Sequence, residues 1–439
     1  MGEAKGTLRI RSAAQSGMVP AETEMRRLVP DYLVIHLEAS VILLLILFHS
    51  VDTRHSLYFD EDSPRVYLNQ RTEIRKVREG QPVLGRSLSR TILMANEMEY
   101  TRLGTSGLKI SKVILGAMSY GTKEWQDWVL NEDEALPLIE HAYKRGINTW
   151  DTADVYSHGR SEEIIGKALT KYNIPRNRVV ILTKCYFGVD DGGKQPPISA
   201  AGRNDGDWVN RVGLSRKHIF DAVDASVSRL GTYIDVLQIH RLDRDTPREE
   251  IMRALNDVIE SGKVRYIGAS TMAAWEFQTL QNIAERNGWH KFISMQNYHN
   301  LLAREEEREM IPYCVDSGVG LIPWSPMARG VLARPWNSRS TTRESTDAAL
   351  KLLVRSRESE ADKAIVDRVE ELAKKKGVSM AQVSIAWSLS HTNENPILGL
   401  NSKERIDEAV ASIKVKLTDE EIKYLEEPYI PKALSALER

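Results

Sequence analysis

Four residues spread over ninety positions carry side chains able to act together on one bond: Asp151, Tyr156, Lys184 and His240. Asp151 and Tyr156 bound Asp151-Thr152-Ala153-Asp154-Val155-Tyr156, Lys184 ends Ile181-Leu182-Thr183-Lys184, and His240 ends Leu237-Gln238-Ile239-His240. Each lies at or just after the C-terminal end of a short apolar run that reads as a parallel strand, where a barrel or open α/β sheet places its chemistry. A ketone or aldehyde accepts hydride only when the negative charge growing on its oxygen meets a proton or a strong donor. Tyr156 is suited to be that acid. A phenol titrating near about 10 is a reluctant donor at neutral pH, and the ammonium of Lys184 would stabilise the phenolate and lower that value. Asp151 would keep Lys184 charged and oriented, because an unpaired buried lysine tends to lose its proton. His240 would donate a hydrogen bond to the carbonyl oxygen and fix the substrate's angle. Singly, each has an ordinary reading as a packed tyrosine, a solvated lysine or a satisfied core histidine. Four polar groups at the ends of strands two, three and four are hard to explain as packing, and together they point to reduction of a carbonyl.

Placing them requires a repeating scaffold. From Met98 the pattern opens with strand-like runs at 100–103 and 108–110, joined by Gly104-Thr105-Ser106-Gly107, a hairpin turn sequence. After it, helical periodicity alternates with β-branched runs, and glycines mark the junctions. In 249–261, Ile251, Leu255, Val258 and Ile259 share a helical face, Gly262 supplies the stop, and 264–267 is the next strand. The same grammar places helices before Gly146 and, over 304–317, before Gly318. The other strands fall at 113–115, 147–150, 179–183, 236–239, 292–295, 319–322 and 397–398. Eight strands each followed by a helix over about 330 residues predict an α/β fold, a closed (β/α)8 TIM barrel, rather than a doubly wound sheet. Two connections, 185–214 and 325–360, exceed the usual βα length and leave from strand C-termini. Such long βα loops are expected to shape a substrate pocket, a disordered insertion being the plainer alternative.

The chain of 439 residues is 42% hydrophobic and 28% charged, with a formal net charge of −1, so nothing asks for nucleic acid as a partner. Two cysteines, Cys185 and Cys314, provide neither a disulfide framework nor a C-x-x-C metal site. No metal is expected, and a reducing, cytoplasmic location fits best. Residues 1–97 stand apart as an N-terminal extension, 98–428 as the barrel and 429–439 as a tail. The apolar run at 41–48, even stretched back to Tyr32, takes in His36 and Glu38 and falls short of the roughly 20 residues of a spanning helix. It also lies too far in for a signal peptide, so no membrane is expected, association through residues 32–48 being the lesser alternative. The extension reads as a disordered leader or as translated non-coding sequence ahead of a start at Met94 or Met98.

Trp150-Asp151-Thr152-Ala153-Asp154-Val155-Tyr156 with Ser161-Glu162 soon after, Leu182-Thr183-Lys184, Ser226-Val227-Ser228-Arg229-Leu230 leading into Asp235-Val236-Leu237-Gln238-Ile239-His240, and Gln296-Asn297 follow one another along the chain. In this order they resemble the aldo-keto reductases, from Met98 to about Pro428, and most of all fungal members similar to aryl-alcohol dehydrogenases and to hemiacetal reductases of polyketide pathways. The resemblance implies Tyr156 as general acid with Asp151, Lys184 and His240, the last also touching substrate, and NADPH held extended across the barrel mouth. No G-x-G-x-x-G follows a strand, which argues against a Rossmann site. The resemblance further implies that Ser270 and Gln296 bond the nicotinamide carboxamide, with Asp151 and Thr271 beside them. Thr271 stands where the family often has Asn. Trp324 would stack on the ring and so fix which face points at the substrate. Ser325, Pro326, Met327, Arg329, Gly330 and Leu332 would wrap the pyrophosphate. Arg405, with Gly399 and Lys403, would meet the 2′-phosphate at the start of the last barrel helix, a physically sound phosphate site. Some relatives carry Lys-Ser where this chain has Gly399-Leu400, and Lys403 would compensate.

The leading expectation is therefore an NADPH-dependent reductase of a small aldehyde, ketone or hemiacetal, aromatic or polyketide-derived, in fungal secondary metabolism. A second reading, from another class, is an NADP(H)-binding scaffold or redox-sensing subunit with little turnover. A zinc dehydrogenase is disfavoured by the lack of a cysteine cluster and of H-E-x-x-H. Trp125, Trp128 and Trp208 are expected either to line an aromatic pocket or to anchor loops.

Overall fold

The computed structural model describes residues 98–190 and 204–434, together with the backbone of two short strands at 57–59 and 66–68. The run at 32–48, part of the connection after residue 185 and the last five residues lie outside the described residues. The chain forms two units, Met1–Val83 and Leu84–Arg439. In the first, β1 (Leu57–Phe59) pairs antiparallel with β2 (Val66–Leu68). No helix among the described residues is long and apolar enough to cross a membrane.

In the second unit, β3 (Tyr100–Arg102) and β4 (Lys109–Ser111) make the expected antiparallel hairpin. Then β5 (Ile114–Gly116), β6 (Thr149–Asp151), β7 (Val180–Cys185), β8 (Ile234–Ile239), β9 (Val264–Ser270), β10 (Phe292–Gln296) and β11 (Gly320–Leu321) pair in parallel in chain order, and β12 (Ile397–Leu398) pairs with β5. Backbone bonds of 2.9 Å from Asn395 N to Leu321 O and from Ile397 N to Pro323 O join β12 to β11 and close the ring. The helices α1 (Glu132–Lys144), α2 (Arg160–Lys171), α3 (Arg216–Leu230), α4 (Arg248–Glu260), α5 (Ala274–Asn287) and α6 (Met310–Ser317) follow β5 to β10 in turn. This is the (β/α)8 barrel that the alternating pattern predicts.

Where the sequence suggested a loop over 325–360, the chain folds into α7 (Thr342–Thr346) and α8 (Ala348–Leu353) before α9 (Glu360–Lys376) and α10 (Met380–Ser390). Two short helices of five and six residues carry no readable period, but their ends are capped. The Asp347 carboxylate accepts from Ala349 N and Leu350 N at 3.0 Å each, satisfying amides that a helix start leaves open. The chain continues through α11 (Lys403–Ala411) and α12 (Asp419–Glu426).

The barrel interior explains why the chemistry faces inward. Leu103, Ile110, Ile114, Val180, Leu182, Val236, Ile322 and Ile397 form its apolar floor, and the β3–β4 hairpin plugs that end. Gly104 makes the plug possible, since its φ is +57° and a Cβ there would sit 2.2 Å from Gly318 O. Side chains alternate across a strand, so residues two beyond the floor also point inside. Lys184 lies two beyond Leu182, and Gln238 and His240 lie two and four beyond Val236. At β10 the parity would fail: Ile293 packs against the floor, and strict alternation would send Gln296 outward. A register shift between Phe292 and Met295 corrects it, leaving Met295 in the outer core and Gln296 inside.

Candidate active site

Lys184 is fully buried, its Nζ 2.6 Å from Asp151 Oδ1, 2.8 Å from Thr152 O and 3.4 Å from Tyr156 Oη. The other Asp151 oxygen accepts from Gln238 Nε2 at 2.9 Å and Gln296 Nε2 at 3.0 Å, and Gln296 Nε2 also bonds Gln238 Oε1 at 2.9 Å. Burial pulls the lysine down, but Asp151 and then Tyr156 more than offset it, so its value lies above that of a free lysine. The ammonium is thus kept charged, as the sequence suggested. The phenol behaves differently from the expectation. Burial raises Tyr156 more than Lys184 and, further down the order, Arg241 lower it, so it stays above its ordinary value. Desolvation outweighs the ammonium, and Tyr156 remains a protonated acid across the neutral range.

Tyr156 comes into place through backbone geometry that strand periodicity cannot show. Ser157, His158 and Gly159 adopt φ values of 48°, 51° and 87° in succession, turning the chain from β6 into α2. His240 stands edge-on to the Tyr156 ring, with centroids 5.8 Å apart, and Phe187 also packs against it at 5.0 Å. Burial, Lys184 and Arg241 hold the imidazole well below its ordinary value, so it is neutral. Its buried Nδ1 has no hydrogen-bond partner among the described residues.

These groups open into a cavity of about 760 Å³. Of the residues singled out in the sequence, Asp151, Tyr156, His240, Ser270, Gln296, Trp324, Ser325, Pro326, Met327, Arg329, Gly330, Gly399 and Arg405 line it. Trp324 has one face stacked on Tyr298, 4.4 Å between centroids at 25°. Thr271, Leu332 and Lys403 do not reach the lining. Thr271 is buried behind Ser270 with φ 41°, a conformation that suits Asn better than a β-branched residue. Leu332 is buried in a second apolar core, and its amide bonds Met327 O at 3.2 Å. Lys403 is exposed on α11.

Trp125 and Trp128 line the cavity, whereas Trp208 packs under Arg211 outside it. A chain of contacts runs from the acid outward: Tyr156 to Trp125 at 6.1 Å, Trp125 to Trp128 at 6.3 Å, and Trp128 to the Arg343 guanidinium at 4.0 Å. Arg343 lies 3.6 Å from Asp347, which Arg329 holds at 2.6 Å. Arg334 and Arg405 also line the cavity. Burial and then Arg329 push Arg343 down to about 10, against the pull of Asp347. Four crowded guanidiniums make this part of the cavity strongly positive. Sequence reading missed Gln238, Phe187, Arg241, Arg334 and Arg343. Gln238 alone left a usable signal, lying two residues before His240 on the same strand face.

A second polar cluster lies outside the lining. His299 Nδ1 is 2.9 Å from Glu394 and Nε2 is 3.0 Å from Glu307. With His391, His299 and Glu307 form, among the described residues, a trio whose ligand atoms lie within 4.8 Å of one another. Both His299 nitrogens are committed to carboxylates. Burial opposes the charge on His299, yet Glu394 and Glu307 raise it to about 9. A raised folded value gives stability that is full below the unfolded value of about 6.5 and is lost as pH rises through about 9. His299→Gln is therefore expected to lower Tm by about 5 °C or more at pH 6.5, with the gap closing by pH 10. A gap constant with pH in thermal scans would show that His299 is not charged in the fold.

The family model of the aldo/keto reductase family matches residues 112–430. The chain is 79% identical over 343 residues to a versiconal hemiacetal acetate reductase of Aspergillus parasiticus, covering 78% of this chain and all of the relative. It is 58% identical over 341 residues to a "putative aryl-alcohol dehydrogenase" of Schizosaccharomyces pombe, covering 76% of this chain and 96% of that one. It is 48% identical over 355 residues to an aldo-keto reductase of Fusarium vanettenii, covering 79% and 94%. With the barrel, the buried Asp151–Lys184–Tyr156 cluster and these relatives in agreement, the chain belongs to the aldo/keto reductase family.

Proposed function

We propose that this protein is an NADPH-dependent reductase of an aldehyde, ketone or hemiacetal, aromatic or polyketide-derived, with Tyr156 as general acid, working in a fungal secondary pathway in the cytoplasm. The observation that carries the reading is Tyr156 Oη, 3.4 Å from the Lys184 ammonium, in one cavity with five arginines. The relative at 79% identity, named for reduction of a hemiacetal acetate, supports the substrate class. The two buried free thiols suit a reducing compartment. A scaffold with little turnover is not favoured, because the relatives are named as reductases and dehydrogenases.

The lining fits a nicotinamide dinucleotide phosphate. Arg329, Arg334, Arg343 and Arg405 repel one another, and phosphates would relieve that repulsion. Trp324, covered on one side by Tyr298, would present its other face to the nicotinamide, and Ser270 and Gln296 would bond its carboxamide. Bound there, the reduced nicotinamide supplies the hydride. The protein supplies the rest. Neutral His240 donates a hydrogen bond to the carbonyl oxygen, and Tyr156 Oη delivers the proton as charge develops there. Lys184 stabilises the phenolate left behind. Asp151, gripped by Gln238 and Gln296, keeps the ammonium from rotating away.

The test is NADPH oxidation by the full chain with a panel of aromatic aldehydes, quinone-like ketones and hemiacetals. Tight NADPH binding with no turnover on any of them would shift the reading to the scaffold. For cofactor choice, Arg405→Ala should raise KM for NADPH about tenfold or more and that for NADH much less, since a guanidinium–phosphate contact is charge-assisted. An equal rise for both cofactors would refute that assignment.

A further inference from the structure

Strand β8 ends at Ile239, and the chain bends at His240 and Arg241. Neighbours in an extended strand point to opposite faces, but the bend lets both residues line the cavity. Arg241 Nη1 donates to His240 O at 2.6 Å, which curls the guanidinium back beside the catalytic imidazole. Its charge reaches the reacting end, since it helps to hold the Tyr156 phenol down. Arginine stays ionised even where burial disfavours it. The reduction itself needs one proton donor and one oxygen ligand, and Tyr156 and His240 fill those roles. A half-buried guanidinium in the same wall is surplus to them, and its planar fork matches an acidic oxygen pair. The flanking surfaces are flat rings: Trp125 is 6.1 Å from Tyr156, and Phe187 is 5.0 Å from His240. They suit a planar aromatic body whose edge reaches Arg241.

We infer that Arg241 is a specificity-determining anchor that binds an ionised oxygen, a carboxylate or phenolate, on a planar aromatic carbonyl substrate and so turns the carbonyl toward Tyr156 and His240. The inference rests on the reductase reading. Its test compares 3- and 4-carboxybenzaldehyde, each against its own methyl ester, which removes the charge and makes the aldehyde intrinsically more electrophilic, so that any preference for the acid must come from the protein. The full-length protein should favour at least one acid over its ester by about tenfold in kcat/KM, as expected for a charge-assisted contact. Arg241→Met should bring that ratio close to one, and Arg241→Lys should retain part of it. Absence of any acid preference in the unaltered protein, or its persistence in Arg241→Met, would overturn the inference. If Arg241→Met does not fold, Arg241→Gln takes its place. If no aldehyde is reduced at all, the reductase reading fails separately. Quenching of tryptophan fluorescence by isophthalate and terephthalate, against their dimethyl esters, then decides the anchor. Tighter binding of a diacid that is lost in the variant upholds it, and equal binding in both proteins overturns it.

Discussion

Replacing Tyr156 by Phe is expected to lower kcat about 10³-fold while the dissociation constant for NADPH stays within about threefold, the size typical of losing a positioned general acid. The substitution keeps the ring and with it the edge-on packing against His240 at 5.8 Å and the contact with Trp125. What disappears is the hydroxyl 3.4 Å from Lys184. By the rate equation, 10³ corresponds to about 4 kcal/mol of barrier. Stopped-flow measurement of the hydride step and fluorescence titration of NADPH would separate the two effects. A kcat within about fivefold of the unaltered protein would mean that the proton comes from elsewhere, with His240 the next candidate. The direction of the pH profile follows from the same geometry. The acid works only while protonated, and its value lies above that of a free phenol, so carbonyl reduction should persist into mildly alkaline solution. Losing Lys184 should push the phenol higher still, because that ammonium is the largest influence lowering it.

Lys184→Met should abolish turnover and also destabilise the fold by about 3–5 kcal/mol, the usual cost of orphaning one member of a buried ion pair. The pair is nearly inaccessible, with side-chain exposures of 0% and 3% for Lys184 and Asp151. Without the lysine, Asp151 keeps, among the described residues, only the two glutamine amides as side-chain donors and holds a charge in the barrel interior. Urea denaturation of Lys184→Met, Asp151→Asn and the double variant forms a cycle. The double variant should regain much of the stability and none of the activity, because the amide put in place of the carboxylate has no charge to be orphaned. A cost below about 1 kcal/mol for the single change would mean that the interior is wetter than its packing shows. The lysine's own titration leaves no trace at neutral pH. Its folded value is raised, so its contribution is complete below about 10.5 and fades only as pH rises beyond that.

The four candidate catalytic groups and the barrel that carries them are legible in the chain for a local reason. Parallel strands announce themselves through short β-branched runs, glycine marks helix ends, and a polar residue at a strand's C-terminal end is conspicuous among apolar neighbours. Asp151, Lys184 and His240 each fall at such a place, and the hairpin around Gly104 is equally plain because a left-handed turn is written in the turn residues themselves. Gln238 escapes notice because a glutamine inside a strand looks like filler until Asp151 is seen opposite it. Gln296 faces the site only because β10 slips its register, which no period in the sequence reveals.

The order of residues alone supplies the candidate chemistry: a phenol, an ammonium, a carboxylate and an imidazole at the ends of consecutive strands of a (β/α)8 fold. Packing in three dimensions settles whatever depends on residues far apart in the chain meeting. It sets the net upward displacement of Tyr156, because burial is a property of the packed interior rather than of neighbours in sequence. It brings Trp125 and Trp128 into the cavity and leaves Trp208 outside, and it folds the 325–360 segment so that Arg343 stacks on Trp128. It also keeps Thr271, Leu332 and Lys403 away from the lining. Periodicity is encoded over a few adjacent positions, whereas convergence is fixed by strand register and helix docking, which arise only once the whole barrel has closed.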